Sequence, residues 1–333
     1  MVRLFDPLTV GSLKLKNRIV MAPMAFGLSN EQGEVTDELL EHYIERCQNL
    51  GLLIVEATNI TQNGLMFKKQ LSIASDESII DLKRLVSEIH EYDTPVAIQL
   101  AHAGSTTTRE TCGEQPIAPS PVINPIRGKE IPREMKFEDI ETVIEAFVEA
   151  SERARKAGFD AVEIHGAHGY LLSQFLSPIT NQRDDEFGGS LENRVKISLR
   201  IIDGIKNRLG ADFPVLYRLG VEDVLPDGLS LDEGVLAAKM LFEMGVDIMD
   251  ISMGLGFTFR WLNMQEGFGV IVPQAAAVRK ETGFPVIGVG GVNTPEEADE
   301  IIRSGKVDLV AVGRTLRREP RWASIAIDSL TDA

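Results

Sequence analysis

Gly283-Phe284-Pro285-Val286-Ile287-Gly288-Val289-Gly290-Gly291-Val292-Asn293-Thr294-Pro295-Glu296-Glu297 reads as a helix stop, a buried strand, a glycine turn and a helix start. Glycine tolerates the left-handed backbone that ends a helix, so Gly283 marks the junction into the strand Val286 to Val289. That run is near-continuously apolar, as expected of a parallel strand covered on both faces. Thr294 with Glu297 forms a capping box, and Pro295 takes the first helical position, where its missing N–H is not needed.

The same order of signals recurs along the chain. Gly51 precedes Leu52 to Glu56, Gly158 precedes Ala161 to His165, and Gly210 precedes Val215 to Leu219. Gly245 precedes Ile248 to Ser252, and Gly305 precedes Leu309 to Val312. Two further runs, Ile19 to Ala22 and Val96 to Leu100, bring the strand count to eight. The intervening segments have helical period, with Ile140, Val143, Ile144, Phe147, Val148 and Ser151 on one face, and Ser230 with Glu233 forms a second capping box. Strict alternation with right-handed crossovers predicts an α/β fold, a closed (β/α)8 TIM barrel, with a doubly wound open sheet as the alternative. Leu4 to Lys16, with Gly11 between short apolar stretches, predicts an N-terminal β-hairpin cap on the barrel bottom. No linker or low-complexity tract divides the chain, so residues 1–333 read as a single domain.

Composition narrows the class. A chain of 333 residues with 44% hydrophobic content can bury one large core. The formal charge of -16 opposes an encounter with nucleic acid or an anionic membrane, so any phosphate must be held by local groups. Cys47 and Cys112 lie far apart and form no Cys-x-x-Cys pair, which predicts neither a disulfide framework nor a metal cluster. Met1 to Val10 lacks an apolar signal core, and no uncharged stretch reaches transmembrane length. A soluble, cytoplasmic protein is the expectation.

Three strand exits are long: His102 to Lys136, Gly166 to Ser190 and Gly254 to Ile271. In an α/β barrel the exits form the catalytic face. At the ends of the last two strands, Gly290 and Gly291 let backbone amides approach a phosphate while Gly313 leads into Arg314, a bidentate oxygen ligand. Many barrels hold phosphorylated metabolites in this way, so the feature by itself does not identify a flavin. The fourth strand exits through His165, His168 and Tyr170. Two neutral imidazoles can donate to one oxygen, and a phenol can give up a proton that a carboxylic acid would already have lost. His-x-x-His also suits a metal, but no cysteine or third ligand accompanies it and Glu163 is expected to point elsewhere, so no metal is expected. Arg218, near the barrel mouth, requires an anion, and the electron-rich end of a reduced flavin is one. Gln99 offers both donor and acceptor, as an isoalloxazine pyrimidine edge requires.

These residues bring in a family. Leu15 to Met24, Gly51 to Thr58, Gln99 to Gly104 and above all HGAHGYLLSQFLSPITNQRDDEFGGSLENR over 165–194 resemble the old yellow enzyme family, in its small bacterial branch. The likeness covers essentially the whole chain. It implies FMN contacts at Pro23, Met24, Ala25, Ala57, Gln99, Arg218, Gly290, Gly291, Gly313 and Arg314. It also implies that His165 and His168 bind the substrate oxygen and that Tyr170 donates the proton. The chain departs from the family at Ala25, where threonine or cysteine is common, at Gly27, where many members have tyrosine, and at Ser105, where arginine is common. Phe26 or a loop residue is therefore expected to shape the substrate pocket. Larger relatives continue into an iron–sulfur cysteine cluster and a nucleotide-binding domain, neither of which occurs in residues 1–333.

The expected activity is reduction of activated C=C bonds in unsaturated carbonyl or nitro compounds by FMN, with electrons taken directly from NADPH or NADH. The alternatives are a phosphate-binding barrel lyase or isomerase without flavin, and a flavin-binding barrel without ene-reductase turnover. Barrels of this kind often pair, so a homo-oligomer is compatible with the chain, although no exposed stripe marks a face for it.

Overall fold

The computed structural model describes residues 2–331. Eight strands, β1 (Ile19–Met21), β2 (Leu52–Asn59), β3 (Val96–Ala101), β4 (Ala161–Gly166), β5 (Val215–Gly220), β6 (Ile248–Ser252), β7 (Val286–Val289) and β8 (Leu309–Val312), close in that order into a barrel. All neighbours are parallel, and β8 returns to β1 with Val310 opposite Ile19 and Val312 opposite Met21. The crossover and closing helices are α1 (Asp37–Cys47), α2 (Ser78–His90), α3 (Phe137–Ala157), α4 (Leu191–Leu209), α5 (Leu231–Met244), α6 (Val272–Thr282), α7 (Pro295–Arg303) and α8 (Trp322–Thr331). The closed barrel excludes the doubly wound sheet.

Parallel strands covered by helices are buried on both faces, which is why their runs are apolar without alternation. Inward-facing residues two apart, such as Val20 with Ala22 and Leu52 with Ile54, fill the barrel interior. Leu8–Val10 and Leu13–Leu15 form the expected hairpin, turning at Gly11 (φ 56°). Leu13 and Leu15 belong to that same interior cluster, so the hairpin plugs the bottom of the barrel. The helix face predicted from period is buried in α3 at Ile140, Val143, Ile144, Phe147, Val148 and Ser151. Both capping boxes form, Ser230 with Glu233 and Thr294 with Glu297.

One helix stop differs from its sequence reading. α1 ends at Cys47, and the left-handed residue is Asn49 (φ 64°). Gly51 serves close packing instead, since a Cβ there would lie 2.2 Å from the Asn17 carbonyl oxygen. The long exits carry local structure of their own: short helices at Arg109–Cys112, Leu171–Leu176 and Phe259–Asn263, and a two-residue parallel pair, Ile117–Ala118 with Arg133–Glu134. Among the described residues no helix is long and apolar enough to cross a membrane. Of the single-domain reading over 1–333, Met1, Asp332 and Ala333 lie outside the described residues.

Candidate active site

A cavity of about 530 Å³ opens at the strand exits, within the range of small-molecule and cofactor sites. Pro23, Met24, Ala25 and Phe26 line it after β1, and Ala57 from β2. A register irregularity between Val55 and Thr58 bends β2 at that level, as a β-bulge does, and Ala57 lies within it. Gln99 and Arg218 line the cavity from β3 and β5, and His165, His168 and Tyr170 from the exit of β4. Gly290 and Gly291 follow β7, and Gly313 and Arg314 follow β8. Every site residue expected from the sequence thus meets around one space. Gly27 opens onto free space at φ 67°, whereas Ser105 is buried in a turn where its N–H donates to Gln174 Oε1 at 3.0 Å.

The β4 exit makes a compact polar wall. His165 and His168 have ring centroids 5.2 Å apart at 86°, and His165 lies 5.0 Å from the Tyr170 ring. His168 adopts a left-handed backbone (φ 61°), which turns the chain so that both imidazoles and the phenol share one wall. The Ala167 N–H donates to His165 Nδ1 at 3.3 Å, so the neutral ring carries its proton on Nε2. His168 Nε2 meets Ser252 Oγ at 2.7 Å, and its ring stacks on Phe257 at 4.7 Å. Burial, reinforced by the Arg218 charge, holds both imidazoles well below their ordinary pKa. Both are therefore neutral donors at physiological pH.

Beneath this wall lies a buried charged layer. Gln99 Nε2 donates to Glu163 Oε2 at 2.6 Å, which uses one amide hydrogen and leaves the Gln99 carbonyl and a second hydrogen available. Glu163 therefore points into the barrel, against the sequence expectation; it stands two residues before His165, and a strand period of two gives both the same face. Arg218 Nε lies 3.4 Å from Asp250 Oδ2, close enough for an ion pair but not aligned as a hydrogen bond. Burial raises the Glu163 carboxyl pKa and repulsion from Asp250 adds to it, while burial raises that of Asp250.

The phosphate end is shaped by glycine. At Gly290 (φ 121°) a Cβ would lie 2.8 Å from Val270 Cγ2 and 3.1 Å from the Ile271 nitrogen, and at Gly313 it would lie 3.1 Å from Met24 Sδ. Side chains are thus excluded where the loops after β7 and β8 approach the cavity. Arg314 stands beside them, with Nη1 donating to Asn263 Oδ1 at 2.5 Å. These features fit FMN: Arg218 lines the cavity as a buried cation whose Nε makes no hydrogen bond although Asp250 lies within ion-pair distance, and the glycine turns bring the loops after β7 and β8 to the cavity without intervening side chains. Among the described residues no group of three or more His, Cys, Asp or Glu side chains is arranged to hold a metal.

Several cavity residues had no mark in the sequence. Arg127, from the long β3 exit, donates from Nη1 to the Tyr170 hydroxyl at 2.8 Å. Ser252 and Phe257 reach the site only because β6 runs beside β5. Conversely, much of the distinctive 165–194 stretch lies outside the cavity. Arg183 is buried there, donating to the Pro119 and Met135 carbonyls at 2.9 and 2.7 Å and pairing with Asp185. It ties the β4 exit to the β3 exit.

Comparison with known proteins agrees with this geometry. The model of the family described as NADH:flavin oxidoreductase / NADH oxidase matches residues 3–332. An NADPH dehydrogenase from Geobacillus sp. (strain WCH70) is 40% identical over 330 residues, covering 98% of this chain and 94% of that protein. An NADH oxidase from Thermoanaerobacter brockii is 40% identical over 326 residues, covering 96% of this chain but 50% of that protein, so the chain spans half of that relative. The solved structure of an old yellow enzyme homologue from Zymomonas mobilis is 26% identical, with a TM-score of 0.85 over 98% of this chain and 93% of that one.

Proposed function

The chain belongs to the NADH:flavin oxidoreductase / NADH oxidase family, of old yellow enzyme type, and from that premise we propose that it is an ene-reductase acting on activated C=C bonds. It is an oxidoreductase whose cofactor is FMN and whose electron donor is NADH or NADPH. The ene-reductase reading rests on one observation: two neutral imidazoles and a phenol converge on the cavity that the cofactor-type residues also line.

When bound, FMN would supply two-electron hydride chemistry between the nicotinamide and an activated alkene. The chain's own residues do the rest. Gln99 and Arg218 would hold the pyrimidine end of the ring system, with Glu163 fixing the Gln99 amide and Asp250 close to the Arg218 guanidinium. Pro23, Met24, Ala25 and Ala57, which line the cavity, would contact the ring system, and Gly290, Gly291, Gly313 and Arg314 would hold the phosphate. His165 donates from Nε2 to the substrate oxygen, and His168 joins it, its ring held by Ser252 and Phe257. Charge growing on that oxygen meets preorganised donors, as in an oxyanion hole. Tyr170 then gives its hydroxyl proton to the α carbon, and Phe26 bounds the alkene pocket.

We read residues 1–333 as one FMN-binding barrel domain at work in the cytoplasm, in keeping with two unpaired, buried cysteines. The test is direct. The purified protein is expected to carry a flavin spectrum and to oxidise NADH or NADPH in the presence of a simple enone. A protein that stays colourless after incubation with FMN sinks the cofactor assignment, and a yellow protein that reduces no activated alkene sinks the ene-reductase reading.

A further inference from the structure

Among the described residues five arginines line the cavity, Arg127, Arg218, Arg314, Arg317 and Arg318, and no aspartate or glutamate does. The chain as a whole carries 50 acidic and 34 basic residues, so the site reverses the sign of the molecule. A cleft lined by one sign of charge concentrates ligands of the other. Arg218 and Arg314 serve the two anionic ends of FMN in the reading above. Arg127 stands apart from both, because it lies against the proton donor.

Its Nη1 donates to the Tyr170 hydroxyl at 2.8 Å, and its guanidinium carbon lies 5.4 Å from the centre of the Tyr170 ring. It lines the same cavity as His165 and His168, and its charge adds to the lowering of both imidazole pKa values. Among the described residues no carboxylate pairs with it. A guanidinium has five N–H donors, and one bond to a phenol leaves a fork free for a carboxylate.

The turn that carries Arg127 is anchored. Asn124 Oδ1 accepts from the backbone N–H groups of Ile126 and Arg127, each at 3.1 Å, and Asn124 Nδ2 donates to the Gly169 carbonyl at 3.1 Å. A Cβ on Gly128 would lie 2.5 Å from the Asn124 nitrogen, so the turn closes tightly only around glycine. Arg127 is thereby tied to the residue that precedes Tyr170.

Resting on the ene-reductase reading, we propose that Arg127 is a specificity-determining residue that binds a carboxylate on the α-carbon side of the alkene, so that the preferred substrates are anionic unsaturated carbonyl compounds. Tyr170 protonates the α carbon, and a cation bonded to the Tyr170 hydroxyl reaches substituents at that carbon. The carboxylate binds and leaves unchanged, and the proton still passes from Tyr170 to carbon.

The test uses the FMN-loaded protein and two ketones of near-equal shape, 2-(carboxymethyl)cyclohex-2-enone and its methyl ester. Native protein is expected to favour the acid in kcat/KM by roughly 10- to 150-fold, the value of a hydrogen-bonded charge pair. In Arg127→Ala that ratio collapses toward one, and Arg127→Lys, a point charge without the fork, keeps part of it. FMN content and melting temperature verify that each variant is folded. Binding is read separately from turnover, as dissociation constants of 3-hydroxybenzoate and 3-hydroxybenzamide from the change in flavin absorption. Tighter binding of the benzoate that depends on Arg127, without turnover of either ketone, upholds the anion site and removes the ene-reductase reading. Turnover of both ketones with equal kcat/KM, or an acid preference that survives in Arg127→Ala, overturns the anion site and leaves the ene-reductase reading standing. Absence of both turnover and benzoate preference overturns both.

Discussion

The Tyr170 hydroxyl is held by Arg127 at 2.8 Å, and the Tyr170 and His165 ring centroids lie 5.0 Å apart. Tyr170→Phe removes that hydroxyl and keeps the ring. Flavin reduction by nicotinamide needs no phenolic proton and should proceed near the native rate. Reoxidation by an enone should slow by roughly 100- to 10,000-fold, the span of a lost general acid. Stopped-flow measurement of the two half-reactions checks this, with a quinone as control because its product is protonated on oxygen. Comparable loss with quinone and enone would make Tyr170 a positioning group. Arg218 offers a second residue-scale test. Arg218→Ala should raise the FMN dissociation constant by roughly 10-fold or more, the value of one charge-assisted hydrogen bond. Fluorescence titration of the flavin-free protein reads it, and an unchanged constant would remove Arg218 from the cofactor site.

At the scale of elements, the exits of β3 and β4 act together. Arg183 is the joint: it satisfies two carbonyls of one exit while pairing with Asp185 in the other. Arg183 in turn holds the Asp185 carboxyl below its ordinary pKa. Arg183→Ala leaves two buried carbonyls without their donor and the Asp185 carboxylate with the Phe187 N–H but no cation, so it should cost about 2–4 kcal/mol of unfolding free energy. Hydrogen exchange should accelerate over residues 116–136 while the barrel strands stay protected. Uniform acceleration across the barrel would mean that the exit loops are not a separable unit. The family stretch over 165–194 was legible in the sequence, but its division of labour was not. His165, His168 and Tyr170 face the cavity, whereas Arg183 and Asp185 brace the loop beside it. Residues of both kinds give equally distinctive strings, because bracing a loop and binding a ligand constrain residue type alike.

For the molecule as a whole, buried carboxyls set the response to pH. Burial raises Glu56 to about 7, although the Tyr43 hydroxyl donates to its Oε2 at 3.2 Å. The folded state therefore keeps a proton on Glu56 between the ordinary carboxyl range and about 7, where the unfolded chain has lost it. The folded state binds more protons in that window, so stability falls as pH rises through it. Native protein should lose up to about 3 kcal/mol from this group between pH 5 and pH 8. Glu56→Gln should flatten that part of the profile in denaturant unfolding at saturating FMN. A native profile as steep in the variant as in the parent would assign the loss to other groups, Glu163 among them.

The sequence by itself determined the eight strands, their alternation with helices, the hairpin plug and the cavity face, because each is written in neighbours a few residues apart: a glycine stop, an apolar run, a capping box. It also marked nine cavity residues by their positions at strand exits, and the family resemblance added Pro23, Met24, Ala25, Phe26 and Ala57. Only the tertiary structure decided what those residues touch. Gln99 meets Glu163 across 64 residues, Arg127 meets Tyr170 across 43, and His168 meets Ser252 across 84. No local pattern encodes such pairs. They arise when β8 closes on β1 and every strand exit is brought to one rim, where a loop arginine and a strand-end serine become neighbours of groups far away along the chain.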